Sequence, residues 1–129
     1  MKVYIADDSR VVVERLADLL KEVPGAQFVG RAGDVLEAMQ GIQDTKPDAL
    51  ILDLQMPGGS GLEVLRAVRA DFPRLQVLIC TNYAYAQYRK ECLAAGANFF
   101  LDKSCDFEKI PAILRELIRK ESKISPFAG

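Results

Sequence analysis

The feature that most constrains the fold is the run Ala49-Leu50-Ile51-Leu52, apolar throughout, which ends in Asp53 and is followed by Leu54-Gln55-Met56-Pro57. A strand with one wet face alternates apolar and polar residues. One covered on both faces does not, so this run predicts a central strand of a parallel sheet packed between helices. Asp53 then lies at the carboxyl end of that strand, where open α/β sheets leave the crevice that takes ligands. Pro57, Gly58, Gly59 and Gly61 hold the next stretch in a loop. Gly58-Gly59-Ser60-Gly61 lacks the Gly-Lys-Ser/Thr ending of a phosphate-cradling loop, so it reads as a connector.

The rest of the chain repeats one unit, a strand and then a helix. Val3 to Ala6 is β-rich, and Val12, Leu16, Leu19, Leu20 and Val23 recur at helical spacing from Ser9 until Pro24-Gly25 stops them. Ala26 to Gly30 reads as the second strand. Asp34 with Glu37 forms a capping box for a helix to about Gln43, and Ser60 with Glu63 repeats it for a third helix carrying Leu62, Leu65 and Val68. Leu75 to Cys80 is the fourth strand, ending in Thr81-Asn82. A helix from near Ala84 to Gly96 follows, along which Tyr83, Tyr85 and Tyr88 are either partly buried or a docking surface. Asn98 to Leu101 is the fifth strand, ending in Asp102-Lys103. The last helix, from about Asp106 to Lys120, buries Ile110, Leu114, Leu117 and Ile118, with Pro111 awkward inside it.

Five strand-helix units in strict alternation require a doubly wound α/β fold, a parallel sheet with helices on both faces and right-handed crossovers. At 129 residues this is one domain, assigned to residues 1–121, with 122–129 as a C-terminal tail. A net charge of −1 gives no global field toward nucleic acid or anionic lipid, and no apolar stretch reaches membrane-spanning length, which points to a cytoplasmic protein. Cys80, Cys92 and Cys105 are odd in number and lack metal or redox spacing, so they read as buried or partly buried free thiols. Histidine is absent. That removes histidine triads, histidine zinc sites and phosphohistidine carriers, and leaves carboxylates, Lys103 and hydroxyls to carry chemistry.

Parallel topology brings four strand ends to one edge: Asp7 and Asp8, Asp53, Thr81, and Lys103. Carboxylates gathered in one cleft repel by about 4 kcal/mol per pair at 4 Å for an effective dielectric near 20. The cluster needs a cation, a proton or a nearby ammonium. Hard oxygen ligands suit Mg²⁺, and a metal beside a carboxylate, an ammonium and a hydroxyl is equipped for phosphoryl transfer to Asp53.

This arrangement resembles the receiver domain of bacterial two-component response regulators. The resemblance rests on Asp7-Asp8, Asp53 in Asp-Leu-Gln-Met-Pro followed by Gly61-Leu62, Thr81, Gly96-Ala97, and Phe100 ahead of Lys103. It implies a flavodoxin-like five-stranded sheet in the order 2-1-3-4-5, with Asp53 as phosphoacceptor. It implies Mg²⁺ held by Asp8, Asp53 and the main-chain carbonyl of Gln55, with Asp7 acting through water. Lys103 and Thr81 would stabilise the phosphoryl group, and Phe100 would turn inward as Thr81 swings, altering the face of the fourth helix, fifth strand and fifth helix. The implied partners are a sensor histidine kinase or phosphotransfer protein, a downstream effector or linked output domain, and a second copy of the chain on phosphorylation. Such a chain is a switch rather than a metabolic enzyme.

Some positions depart from the family pattern or vary within it. Asn82 stands where a small residue is usual, and Gln55 and Tyr83 flank the path of a hydrolytic water without supplying an acid, so the phosphoform is expected to be long-lived. Ser104 replaces the proline that commonly follows the lysine, which puts the family's cis bond there in doubt. Two other readings stay open: a Mg²⁺-dependent phosphohydrolase, and a protein-binding module that signals without phosphate.

Overall fold

The computed structural model describes residues 1–124, with side chains described through residue 121. The main sheet takes β1 (Lys2–Ala6), β2 (Gln27–Ala32), β3 (Ala49–Leu52), β6 (Gln76–Thr81) and β7 (Phe99–Asp102) in the order β2-β1-β3-β6-β7, every neighbouring pair parallel. Counting only these strands, the order is the expected 2-1-3-4-5. Two short strands, β4 (Gln55–Met56) and β5 (Gly59–Ser60), form an antiparallel hairpin outside the sheet in what the sequence presents as a plain loop.

The helices are α1 (Arg10–Lys21), α2 (Val35–Thr45), α3 (Gly61–Asp71), α4 (Ala86–Ala94) and α5 (Lys109–Ile124). Ser9, Asp34 and Ser60 cap α1, α2 and α3, each side-chain oxygen accepting the amide three residues on. Gly96 follows α4 with φ 105°, the left-handed value a glycine adopts without strain. The start of α5 lies three residues later than expected, so Pro111 falls in its first turn, where the amide it lacks has no helical partner to lose. The helix continues to Ile124, so the first three residues of the expected tail are helical, and residues 125–129 lie outside the described residues.

Two apolar layers flank the sheet. Val3, Ile5, Ala49, Ile51, Leu78 and Leu101 face α1 and α5, while Tyr4, Ala6, Leu50, Leu52, Val77 and Ile79 face the other helices. Leu50, Leu52, Leu78 and Ile79 are fully enclosed, each worth about 1.5–3 kcal/mol of burial. Leu117 and Ile118, expected in the core, are only partly buried at its rim.

Two expectations need correction. Cys105 is exposed, unlike the buried Cys80 and Cys92, because it sits in the turn between β7 and α5 rather than on a core-facing element. Tyr83 and Tyr85 precede α4 instead of lying along it, since that helix begins only at Ala86. Both tyrosines and Tyr88 are exposed. Among the described residues, no helix is long and apolar enough to cross a membrane.

Gly61 shows why the loop after Asp53 is built as it is. Its amide donates to the carbonyl of Leu54 at 2.9 Å, and a Cβ there would run into the carbonyl oxygen of Asp53 and lie 2.9 Å from the Cα of Leu54. Both are backbone, with little room to yield. Gly61→Ala is therefore expected to cost about 1–3 kcal/mol, read as a lower midpoint of urea unfolding at unchanged slope. An unchanged midpoint would show that this close approach is not a constraint.

Candidate functional site

Register brings the site together. Ala6 pairs with Leu52 across β1 and β3, so Asp7 and Asp53 are the next residues of adjacent strands. The Asp53 amide donates to the carbonyl of Ala6 at 2.9 Å, and the Asp7 amide to that of Ala32 at 2.9 Å. On the far side of the sheet the amide of Lys103 donates to the carbonyl of Thr81 at 3.0 Å, continuing the β6–β7 ladder by one residue. The ladder sets where each side chain starts.

The Lys103 ammonium then reaches across to bridge both acids, 2.6 Å from Asp7 Oδ2 and 2.9 Å from Asp53 Oδ2. The other oxygens are held locally. Asp7 Oδ1 accepts the Ser9 amide at 2.9 Å, and Asp53 Oδ1 accepts the Gln55 amide at 3.3 Å. Asp8 is exposed at the mouth, whereas Asp7 and Asp53 are buried. Carboxylate oxygens of all three lie within 4.8 Å of one another. Three acids facing one ammonium leave the cluster short of positive charge, and an all-oxygen donor set of this size fits a hard divalent cation.

Burial pushes the Asp7 carboxyl above its usual range, against the pull of its bond to Lys103. For Lys103, burial works against the charged form, but the hydrogen bonds to Asp7 and Asp53 outweigh it and hold the ammonium above its ordinary value. Beneath the site, burial drives the Cys80 thiol up to about 12, which makes it an inert neighbour.

The cleft above Asp53 has a volume of about 460 Å³ and is lined in part by Asp8, Gln55, Asn82, Tyr83 and Lys103. Gln55, Asn82 and Tyr83 are exposed at its rim, beside the acid whose chemistry they are expected to tune. Thr81 does not open onto this cleft. It is fully buried, and its hydroxyl accepts the Tyr83 amide at 3.1 Å. Phe100 is 7% exposed in the core with Cys92 and Ala97, so the ring expected to turn inward on phosphorylation is already inside here. No cis peptide occurs among the described residues, so the Lys103–Ser104 bond is trans.

Sequence reasoning missed Arg31. At the end of β2, its guanidinium donates to the main-chain carbonyl of Asp7 at 3.4 Å, bracing the acidic loop from the sheet edge. The signal was present in the strand order, because a strand lying beside the first one must end beside Asp7.

The raised Asp7 sets a sign. A carboxyl that holds its proton more tightly when folded lowers stability as pH rises from the unfolded value, 3.8, through its folded value, so at neutral pH its charge is a cost. Asp7→Asn removes that cost and keeps an acceptor for Lys103, at the loss of the oxygen that takes the Ser9 amide. The metal-free variant is expected to melt higher than the parent at pH 7, with the gap shrinking toward pH 4. A lower melting point at pH 7 would show that the Asp7 charge is net stabilising.

Residues 3–115 match the response regulator receiver domain family. The chain is 37% identical over 103 residues to the DNA-binding transcriptional activator DevR/DosR of Mycobacterium tuberculosis, covering 80% of this chain and 48% of that protein. It is 34% identical over 127 residues to the oxygen regulatory protein NreC of Staphylococcus carnosus, covering 98% of this chain and 58% of that one. The chain thus spans about half the length of these curated relatives. Among solved structures it is similar to the response regulator domain of Thermotoga maritima CheB, with a TM-score of 0.81 at 28% identity over 98% of each chain. It is also similar to a chain of the CheX-CheY-BeF3-Mg+2 complex of Borrelia burgdorferi, with a TM-score of 0.83 at 25% identity over 92% of this chain and 89% of that one. The strand order, the acidic cluster bridged by Lys103 and these matches lead to one conclusion: the chain belongs to the response regulator receiver domain family.

Proposed function

We propose that this receiver domain is a phosphorylation switch in which Asp53 takes a phosphoryl group from the phosphohistidine of a sensor kinase or phosphotransfer protein. The observation that carries the reading is the Lys103 ammonium bridging Asp7 and Asp53 at the floor of an open cleft. The phosphorus–nitrogen bond of the donor breaks as the bond from a carboxylate oxygen of Asp53 to phosphorus forms, and the departing imidazole takes a proton. An ammonium carries three N–H donors, and the two carboxylates engage two of them, leaving one for a phosphoryl oxygen. The amide of Gln55 and the ammonium hold the two oxygens of Asp53, which fixes the carboxylate before the donor arrives.

Asp8 and Asp53 would hold Mg²⁺ through carboxylate oxygens and Gln55 through its main-chain carbonyl, with Asp7 acting through water. Bound there, the ion would supply the positive charge that three acids and one ammonium lack. The Borrelia complex, to which the chain is similar, is a CheX-CheY-BeF3-Mg+2 complex.

On phosphorylation the Thr81 hydroxyl would exchange the Tyr83 amide for a phosphoryl oxygen, and the loop leading into α4 would move with it. Because Phe100 is already packed inside, the change is carried by that loop and by α4, whose only buried side chain is Cys92. The face of α4, β7 and α5 then presents the signal to an effector, a linked output domain or a second copy, in the cytoplasm. Exposed Gln55, Asn82 and Tyr83 offer no acid to guide a hydrolytic water, which gives the phosphoform a long life.

Incubation with acetyl phosphate and Mg²⁺ is expected to add the mass of one phosphoryl group to the parent chain and none to Asp53→Ala. A parent chain that gains no mass would favour the reading as a binding module that signals without phosphate. Followed over time after donor removal, the same mass is expected to fall faster in Tyr83→Ala and Gln55→Asn. Unchanged decay in both variants would remove those side chains from control of hydrolysis.

A further inference from the structure

Tyr4 lies on β1 with its ring toward α2, only 3% exposed, in a slot made by two missing side chains. A Cβ at Gly30 on β2 would lie 2.8 Å from Tyr4 Cε1, and one at Gly41 within α2 would lie 2.9 Å from the same atom and collide with the hydroxyl. Glycine weakens a helix interior, and here it makes room for a phenol. The ring's polar end borders a cleft of about 560 Å³ along α2, with Leu36, Glu37, Gln40 and Asp44 on its rim. Among the described residues the Tyr4 hydroxyl makes no hydrogen bond, and it is not sealed from solvent, so it is free to pair with water or a ligand in the cleft.

The rim is acidic and partly engaged. Glu37 Oε1 accepts the Gly33 amide at 2.7 Å, and Asp44 Oδ1 accepts from Gln40 at 2.9 Å, which leaves Glu37 Oε2 and Asp44 Oδ2 for a further donor. The α2 sequence carries no lysine or arginine. Arg31, the cation that acts on the phenol, donates instead to the main-chain carbonyl of Asp7. An anion would meet two carboxylates, and a neutral apolar group would leave the hydroxyl unpaired. A bare metal ion needs converging ligands, and among the described residues the acids that converge in threes are Asp7, Asp8 and Asp53, none of them here.

We propose that this cleft binds an organic cation, a guanidinium or ammonium group on an alkyl stem, through the Tyr4 hydroxyl oxygen and the carboxylates of Glu37 and Asp44. Leu36, 81% exposed beside them, supplies an apolar surface for the stem. The site is separate from the phosphorylation cleft, and the proposal stands whether or not Asp53 is phosphorylated.

Two probes test it at constant ionic strength, agmatine and a blocked arginine tripeptide, with the amide resonances of Gly30 and Gly41 followed by NMR. Saturable shifts at both glycines are expected. Saturation by agmatine assigns the site to a free amine, and saturation by the tripeptide alone assigns it to a basic side chain of a partner protein. Tyr4→Phe fills the same slot and should keep a cooperative melt while weakening binding roughly fivefold to tenfold, the worth of one hydrogen bond. Asp44→Asn, on the surface, should weaken it as well. Shifts that never saturate, that sodium chloride reproduces, or that persist unchanged in both variants would overturn the proposal.

Discussion

One ammonium between two buried carboxylates is the contact on which the rest of this structure depends. Lys103 follows the last strand of the sheet and Asp7 and Asp53 follow two adjacent inner strands, so the bridge closes across the carboxyl edge. Without a cation there, two enclosed negative charges and a third at the mouth would face each other in a medium that screens poorly. The lysine relieves that repulsion in part. What it leaves over is an excess of acceptor oxygens, and this is the property a divalent ion or a phosphoryl group can use.

The surrounding backbone keeps those side chains in place. Asp7 and Asp53 are each fixed by a ladder bond at the amide and a local bond at the carboxylate. The chain after Asp53 turns through the β4–β5 hairpin and returns at Gly61 against the carbonyl of Asp53, which ties α3 to the site. On the opposite flank, Arg69 of α3 donates to the carbonyl of Gly96 at 2.7 Å and to Asn98 Oδ1 at 3.0 Å, fastening the segment between α4 and β7. The stretch between β6 and α4 is held more lightly. There Tyr83 and Tyr85 are exposed with ring centroids 6.5 Å apart, and the single bond from the Tyr83 amide to Thr81 is the one the proposed switch would break.

Much of this was legible in the residues. The unbroken apolar run from Ala49 to Leu52 identified a strand covered on both faces, and the capping pairs Asp34–Glu37 and Ser60–Glu63 set two helix starts to the residue. Asp7, Asp8, Asp53 and Lys103 stood out because strand ends in a parallel sheet share an edge. Less legible were features that depend on packing in three dimensions. The start of α5 depended on a turn closed by Asp102 and Asp106, with the amide of Asp106 on the carbonyl of Asp102 at 2.8 Å, and periodicity does not register such a turn. Phe100 is buried because it packs in one cluster with Cys92 of α4, while the tyrosines are exposed because little else of that helix is buried. Gly30 and Gly41 look like ordinary breaks in a pattern until Tyr4 is seen between them.

The central claim, that Lys103 is what makes the acidic cluster tolerable in the absence of metal, has a direct measurement in the unfolding free energy of Lys103→Met without divalent ions at pH 7. Methionine keeps most of the volume and removes the charge. If the bridge matters as described, the variant should lose about 3–5 kcal/mol, the usual cost of leaving buried partners unpaired, and Mg²⁺ should restore more stability to it than to the parent. A variant as stable as the parent, or one that Mg²⁺ does not help, would contradict the account.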